Sequence, residues 1–101
     1  LQSVQETARE FADRYPAYRP AQQLAGEAAY RGSNWRDAVK YLDRAALSAE
    51  TSPDLVFYLA VARFETGDLE GSRTALRSAL PRLAPSPFLD RYVKNILGVP
   101  D

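Results

Sequence analysis

The sequence predicts an all-α fold built from antiparallel helix-turn-helix pairs. Apolar residues recur at helical spacing in six segments, and no useful run alternates with the period of two that a half-buried strand requires. Most of these segments are about twelve residues long and are joined by short polar turns, which makes consecutive helices antiparallel neighbours. A chain of 101 residues suits one small domain with a core of its own.

The first three helices are predicted from their starts, stripes and ends. A capping-box pattern opens the first helix, 3–15, which carries one apolar stripe. The second helix, 20–31, is rich in alanine, and Gly32 closes it. Asn34 is a candidate N-cap for the third helix, 35–49.

The last three helices follow from similar signals. A Ser-Pro pair opens the fourth helix, 53–66, with Ser52 as N-cap and proline at the first helical position. Gly67 ends it, because glycine tolerates the left-handed conformation common just past a helix. Asp68 is the expected N-cap of the fifth helix, 69–80. A second Ser-Pro pair, starting at Ser86, opens the sixth helix, 87–97. We call the separation between Ser52 and Ser86, which is 34 residues, the repeat interval.

Residue types also recur at the repeat interval. The corresponding pairs are Tyr30 and Phe64, Trp35 and Leu69, Leu42 and Leu76, Ala45 and Ala79, with small residues at Gly26 and Ala60 and at Ala38 and Ser72. A helix-turn-helix repeat of about 34 residues with these features resembles the tetratricopeptide repeat (TPR) family. We expect the small residues to let paired helices approach closely, and Ala45 and Ala79 to be buried where the next helix crosses.

The resemblance implies antiparallel helix-turn-helix repeats stacked as a short right-handed TPR-like superhelix. Residues 19–52 and 53–86 would be two repeats, residues 1–18 would hold the helix of an incomplete repeat, and residues 87–101 would be a C-terminal capping helix. Only four positions are identical between the two windows, so a non-repeating antiparallel bundle is the alternative.

Composition narrows the chemistry. The chain has no Cys, His or Met, which excludes disulfides, thiol nucleophiles and zinc sites built on Cys or His. Thirteen basic and thirteen acidic residues cancel, so no strong field favours nucleic acid, and no apolar run is long enough to insert into a membrane. We expect no enzyme activity and no cofactor, with carboxylates such as Glu65 and Glu70 acting as solvated surface groups. Eleven Arg against two Lys, with sixteen Ala, indicates a GC-rich bacterial genome. We expect a soluble protein, and the sequence leaves the compartment open between bacterial cytoplasm and periplasm.

The resemblance also implies a function, since the family binds peptides on a concave surface lined by the first helix of each repeat. On this chain that surface would comprise Gln23, Glu27, Tyr30, Arg31, Phe57, Val61, Phe64, Glu65, Arg91 and Asn95. Phe57 and Phe64 are the expected anchors for a protein or peptide partner. Gln23 and Glu27 replace the Lys and Asn with which some repeats of the family clamp a carboxylate, so a chaperone-tail adaptor is not expected.

Two further expectations concern assembly. Homo-oligomerisation through end-to-end stacking is compatible with a repeat fold. The alternative function is a structural segment of a longer helical-repeat scaffold, for example a bacterial envelope assembly protein, with no ligand of its own. That alternative applies if the protein's own helices cover Phe57 and Phe64.

Overall fold

A computed structural model describes residues 3–98 of the chain, and these residues form six α-helices and one 3-10 segment without any strand. The helices are α1 (Val4–Arg14), α2 (Arg19–Arg31), α3 (Trp35–Arg44), α4 (Pro53–Glu65), α5 (Leu69–Ala79) and α6 (Pro87–Leu97), with the 3-10 segment Leu80–Arg82 after α5. The predicted all-α class and the six predicted helices are confirmed.

Side-chain caps open four of the helices. The side chains of Ser3, Asn34, Asp68 and Ser86 accept hydrogen bonds from backbone N–H groups three residues later. Each cap satisfies one of the N–H groups that the first turn of a helix leaves without an internal partner. The prediction for Ser52 is wrong in one respect, because its side chain makes no cap hydrogen bond, although proline at the first position does open α4.

The third helix is shorter than the sequence predicted. It ends at Arg44 instead of continuing to residue 49, because Ala46 adopts a left-handed conformation with φ of 51°. The chain then turns, and Leu47 packs against the apolar clusters of the neighbouring helices. Partial burial of this leucine favours the early end of the helix, which the local alanine-rich sequence does not indicate.

The turns that join α2 to α3 and α4 to α5 have equivalent backbones and lie one repeat interval apart. Ser33 and Gly67 are their left-handed residues, with φ of 57° and 92°. The N-caps Asn34 and Asp68 share φ of −88°, with ψ of 80° and 78°. The N–H groups of Asn34 and Asp68 reach Ala29 O and Arg63 O, both at 2.8 Å. Gly67 is left-handed as predicted, but Gly32 is not, since Ser33 takes that conformation in the first turn.

The helices pack most extensively as the pairs α2–α3 and α4–α5, and α4 also contacts α2 and α3. Gly26 allows the first pair to approach closely, because a Cβ atom there would lie 2.5 Å from Leu42 Cδ2. In the second pair Ser72 Oγ donates a hydrogen bond of 2.7 Å to Ala60 O. Ala45 and Ala79 are both buried. The predicted roles of these small residues in packing are therefore confirmed.

Candidate functional site

The apolar stripe predicted as the binding face of α4 is largely covered by α6. Phe57 is 7% exposed and Val61 is 0% exposed, while Phe64 is half-buried. The ring centroid of Tyr92 on α6 lies 6.2 Å from that of Phe57 and 6.3 Å from that of Phe64. The expectation that Phe57 and Val61 form an open face is therefore wrong, because burying these large side chains under α6 is more favourable than exposing them.

Two hydrogen bonds hold α6 in this position. Arg73 Nε on α5 donates to Ile96 O near the C-terminal end of α6, at 2.9 Å. The Tyr92 hydroxyl donates to a carboxylate oxygen of Glu65 at the end of α4, at 3.2 Å. Glu65, expected on the rim of the site, thus contributes to the attachment of α6.

The remaining predicted residues are divided between different surfaces. Glu27 and Arg31 form an ion pair of 3.0 Å and line a hollow beside α1, away from Phe57. Gln23 is half-buried on α2, and Arg91 and Asn95 lie on α6, where Asn95 is exposed. Of the ten predicted residues, Tyr30 and Phe57 line a second open depression together.

That depression, which we call the aromatic cleft, has a volume of about 450 Å³. Its lining residues come from the ends of three helices and from the loop before α6: Tyr30, Asp54, Phe57, Tyr58, Leu83, Ala84, Ser86, Phe88 and Leu89. The rings of Tyr30 and Tyr58 are stacked, with centroids 4.0 Å apart and planes 8° apart. Phe88 is 46% exposed and meets the Phe57 ring edge-on at 6.0 Å.

The cleft is mostly neutral. Burial, with a smaller effect of neighbouring Tyr58, raises the pKa of Tyr30 to about 12, so its hydroxyl carries a proton at neutral pH. Asp54 is the one ionisable carboxylate among the lining residues, and it is exposed. The cleft can therefore hold an apolar side chain against aromatic rings and offer a carboxylate to a nearby donor or cation.

Other polar groups in the core serve packing. The buried side chain of Gln22 donates through Nε2 to Ala12 O at 2.9 Å and to Tyr15 O at 3.0 Å, which satisfies carbonyls at the end of α1. Residues 3–98 contain no group of three or more His, Cys, Asp or Glu side chains able to hold a metal ion. None of the helices in the same range has both the length and the apolar character needed to cross a bilayer.

Sequence reasoning missed Tyr58, Leu83 and Phe88 as cleft residues. Tyr58 carried a usable signal, since Tyr92 follows it by one repeat interval. Tyr58 stacks on Tyr30 of α2, and Tyr92 meets Phe64 of α4 edge-on, so the paired positions recur although the ring geometry differs. Leu83 belongs to an irregular loop, where no periodic pattern indicates which way a side chain points.

Comparison of the chain with models of known protein families finds no match, and comparisons with curated proteins and with solved structures find none either.

Proposed function

We propose that this chain is a non-catalytic TPR-like interaction module that binds a peptide or protein segment through an apolar side chain in the aromatic cleft. The observation that carries the proposal is the open cleft itself, which the stacked rings of Tyr30 and Tyr58 line together with the exposed ring of Phe88. Its volume of about 450 Å³ is within the range of small ligand pockets.

The TPR-like assignment rests on recurrence at the repeat interval. The two helix-joining turns share backbone angles and hydrogen bonds at this interval. Aromatic pairs join α2 to α4 and α4 to α6 at the same interval, the first pair stacked and the second edge-on. Stacked repeats account for both recurrences, because each repeat contacts its neighbour in the same way.

The chemistry of the cleft favours a particular kind of partner. Aromatic rings supply a large contact area with few rotatable bonds, so little side-chain entropy is lost when they bind. Asp54 is the single carboxylate at the edge, which favours a basic residue or a hydrogen-bond donor beside the apolar anchor. We propose a segment with one aromatic or branched aliphatic residue next to Lys or Arg.

Selection from a displayed random peptide library, followed by titration of the selected peptide, tests the proposal. The only tryptophan, Trp35, reports on the cleft, because its ring centroid lies 5.7 Å from that of Tyr30. Phe88→Ser should weaken binding by about 2 kcal/mol, roughly thirtyfold, if Phe88 is a hot spot.

Leu69→Ser is the matched control for this substitution. Leu69 is exposed to a similar extent as Phe88, at 38% against 46%, but it lies on α5, outside the cleft. The substitution should leave the affinity of the selected peptide unchanged. If Phe88→Ser has no effect in a variant with native circular dichroism, or if both substitutions weaken binding equally, the cleft is not the binding site.

A second candidate is a structural segment of a longer helical-repeat scaffold without a ligand of its own. The burial of Phe57 and Val61 under α6 favours it, because this packing removes the apolar face that the sequence offered to a partner. Failure of the library to enrich any peptide that depends on Phe88 would favour this candidate over peptide binding.

A further inference from the structure

An apolar groove lies on α1, on the side that faces away from α3. Residues Val4, Thr7, Ala8 and Phe11 of α1 and Leu24 of α2 line this N-terminal groove, which has a volume of about 340 Å³. Val4 is 78% exposed, Phe11 43% and Leu24 54%. The opposite side of α1 is already occupied, since Arg9 bonds Asp37 and Asp13 bonds Tyr41 of α3.

Comparison of the groove residues with those one and two repeat intervals later shows that the groove lacks a covering helix. Val4, Ala8 and Phe11 are equivalent in position to Ala38, Leu42 and Ala45 of α3, and to Ser72, Leu76 and Ala79 of α5. All six of these later residues are exposed by 1% or less. In each case the preceding helix contributes to the cover, with Gly26 packed at Leu42 and Ala60 bonded to Ser72.

Leu24 belongs to a second recurring series. Its equivalents one and two repeat intervals later are Tyr58 on α4 and Tyr92 on α6. Tyr58 contacts Tyr30 near the C-terminal end of α2, and Tyr92 contacts Phe64 near the C-terminal end of α4. Among the described residues, no helix stands in the same relation to Leu24 as α2 does to Tyr58 and α4 does to Tyr92. One helix placed against both α1 and α2 would complete the two series together, so the groove continues the interface that already joins α2, α4 and α6.

The sizes of the residues identify the face that such a helix presents. In α3 a large residue, Leu42, stands between small residues, and the covering helix meets it with Gly26. In α1 the order is inverted, because small Ala8, which is only 4% exposed, stands between the larger Val4 and Phe11 and forms the floor of the groove. A complementary helix therefore needs a large apolar residue where α2 has glycine, since a void left at a packed interface forfeits contact energy.

We propose that the N-terminal groove binds one amphipathic helix that is none of the described helices of this chain. This helix lies antiparallel to α1 and seats a large apolar residue over Ala8. The described helices α2, α4 and α6 do not fit in the equivalent register, because the position that would meet Ala8 holds Gly26, Ala60 and Lys94, respectively. Glu27 and Arg31 beside the groove neutralise each other at 3.0 Å, so the occupant needs no net charge. This proposal is independent of the aromatic cleft.

A covalent extension of the chain at Val4 tests the fit. A copy of residues 19–37 is joined directly before Val4 in place of residues 1–3. Val4 then takes the position that Ala38 has after the original segment, and the copied helix lies over the groove. Gly26→Leu in the copy is compared with Gly26→Ala in the copy, because leucine and alanine have nearly equal helix propensity. The leucine version should melt about 5 °C or more above the alanine version, since about 1 kcal/mol shifts a domain of this size by that much.

Leu24→Glu in the original α2, not in the copy, is the specificity control. It should abolish the difference between the two extended chains while changing the melting temperature of the unextended chain little, because Leu24 is about half exposed there. Equal melting temperatures of the leucine and alanine versions, or a difference that survives Leu24→Glu, would overturn the proposal.

A second measurement decides the question even if the extended chains do not fold. The unextended chain is titrated by NMR with a peptide of residues 19–37 that carries Gly26→Leu. At millimolar peptide, amide shifts should change in α1 and around Leu24. No shift, or shifts confined to the aromatic cleft, would overturn the proposal. So would a dimer of the unextended chain that Leu24→Glu dissociates in sedimentation, because the groove would then be an interface between two copies.

Discussion

Gly26→Ala should destabilise the protein although alanine is the better helix former. A Cβ atom at this position would lie 2.5 Å from Leu42 Cδ2, 2.6 Å from Leu42 Cγ and 3.1 Å from Leu42 N. Ordinary carbon contacts lie at about 3.5–4.0 Å, so Leu42 must move by about 1 Å, and its backbone nitrogen cannot rotate away. Overpacking of this kind costs about 1–3 kcal/mol.

The helix-propensity gain of alanine over glycine is about 1 kcal/mol and offsets part of that cost. The overpacking term is larger, because Leu42 is fully buried and its backbone nitrogen is also within 3.1 Å of the added Cβ. We therefore expect a net loss of up to about 2 kcal/mol in the free energy of unfolding. Urea unfolding followed by circular dichroism measures it, with a constant m-value as the check that the transition remains two-state.

Leu42→Ala provides the control through a double-mutant cycle. Alone it should cost about 2–5 kcal/mol by creating a cavity. In that background the contact of Leu42 side-chain atoms with Cβ of residue 26 is gone, so Gly26→Ala should become neutral or stabilising. If Gly26→Ala stabilises the otherwise unchanged protein, or if its effect is the same in both backgrounds, the close approach of α2 and α3 at this point is refuted.

Two further predictions concern packing and pH. Ala79→Leu should destabilise by about 1–3 kcal/mol through overpacking, since Ala79 is fully buried, and a change within about 0.5 kcal/mol in urea unfolding would contradict that burial. Burial raises the pKa of Tyr30 and of Tyr41 from 10.0 to about 12. Their stabilising contribution is complete below pH 10 and is lost between pH 10 and 12, because the unfolded chain releases these protons first. Tyr41→Phe should flatten this alkaline loss of stability, and an unchanged slope would show that Tyr41 is not the cause.

The sequence by itself determined the helices and the small residues between them. Period and caps are local properties, so the N-caps Asn34 and Asp68 and the left-handed Gly67 could be predicted without a tertiary structure. Ala45 and Ala79, which lie one repeat interval apart, were also predicted from the sequence to be buried, and both are.

Only the tertiary structure decided which apolar faces stay open. Phe57 and Val61 form a regular stripe, but a stripe does not state whether a partner or the chain's own α6 covers it. Its coverage depends on Tyr92, whose side chain comes from a helix separated from α4 by the whole of α5 and the 3-10 segment. Phe11, in contrast, stays 43% exposed, because Leu24 of α2, which lines the groove beside it, leaves the groove open. Exposure is set by contacts between residues distant in sequence, and a local pattern carries no information about them.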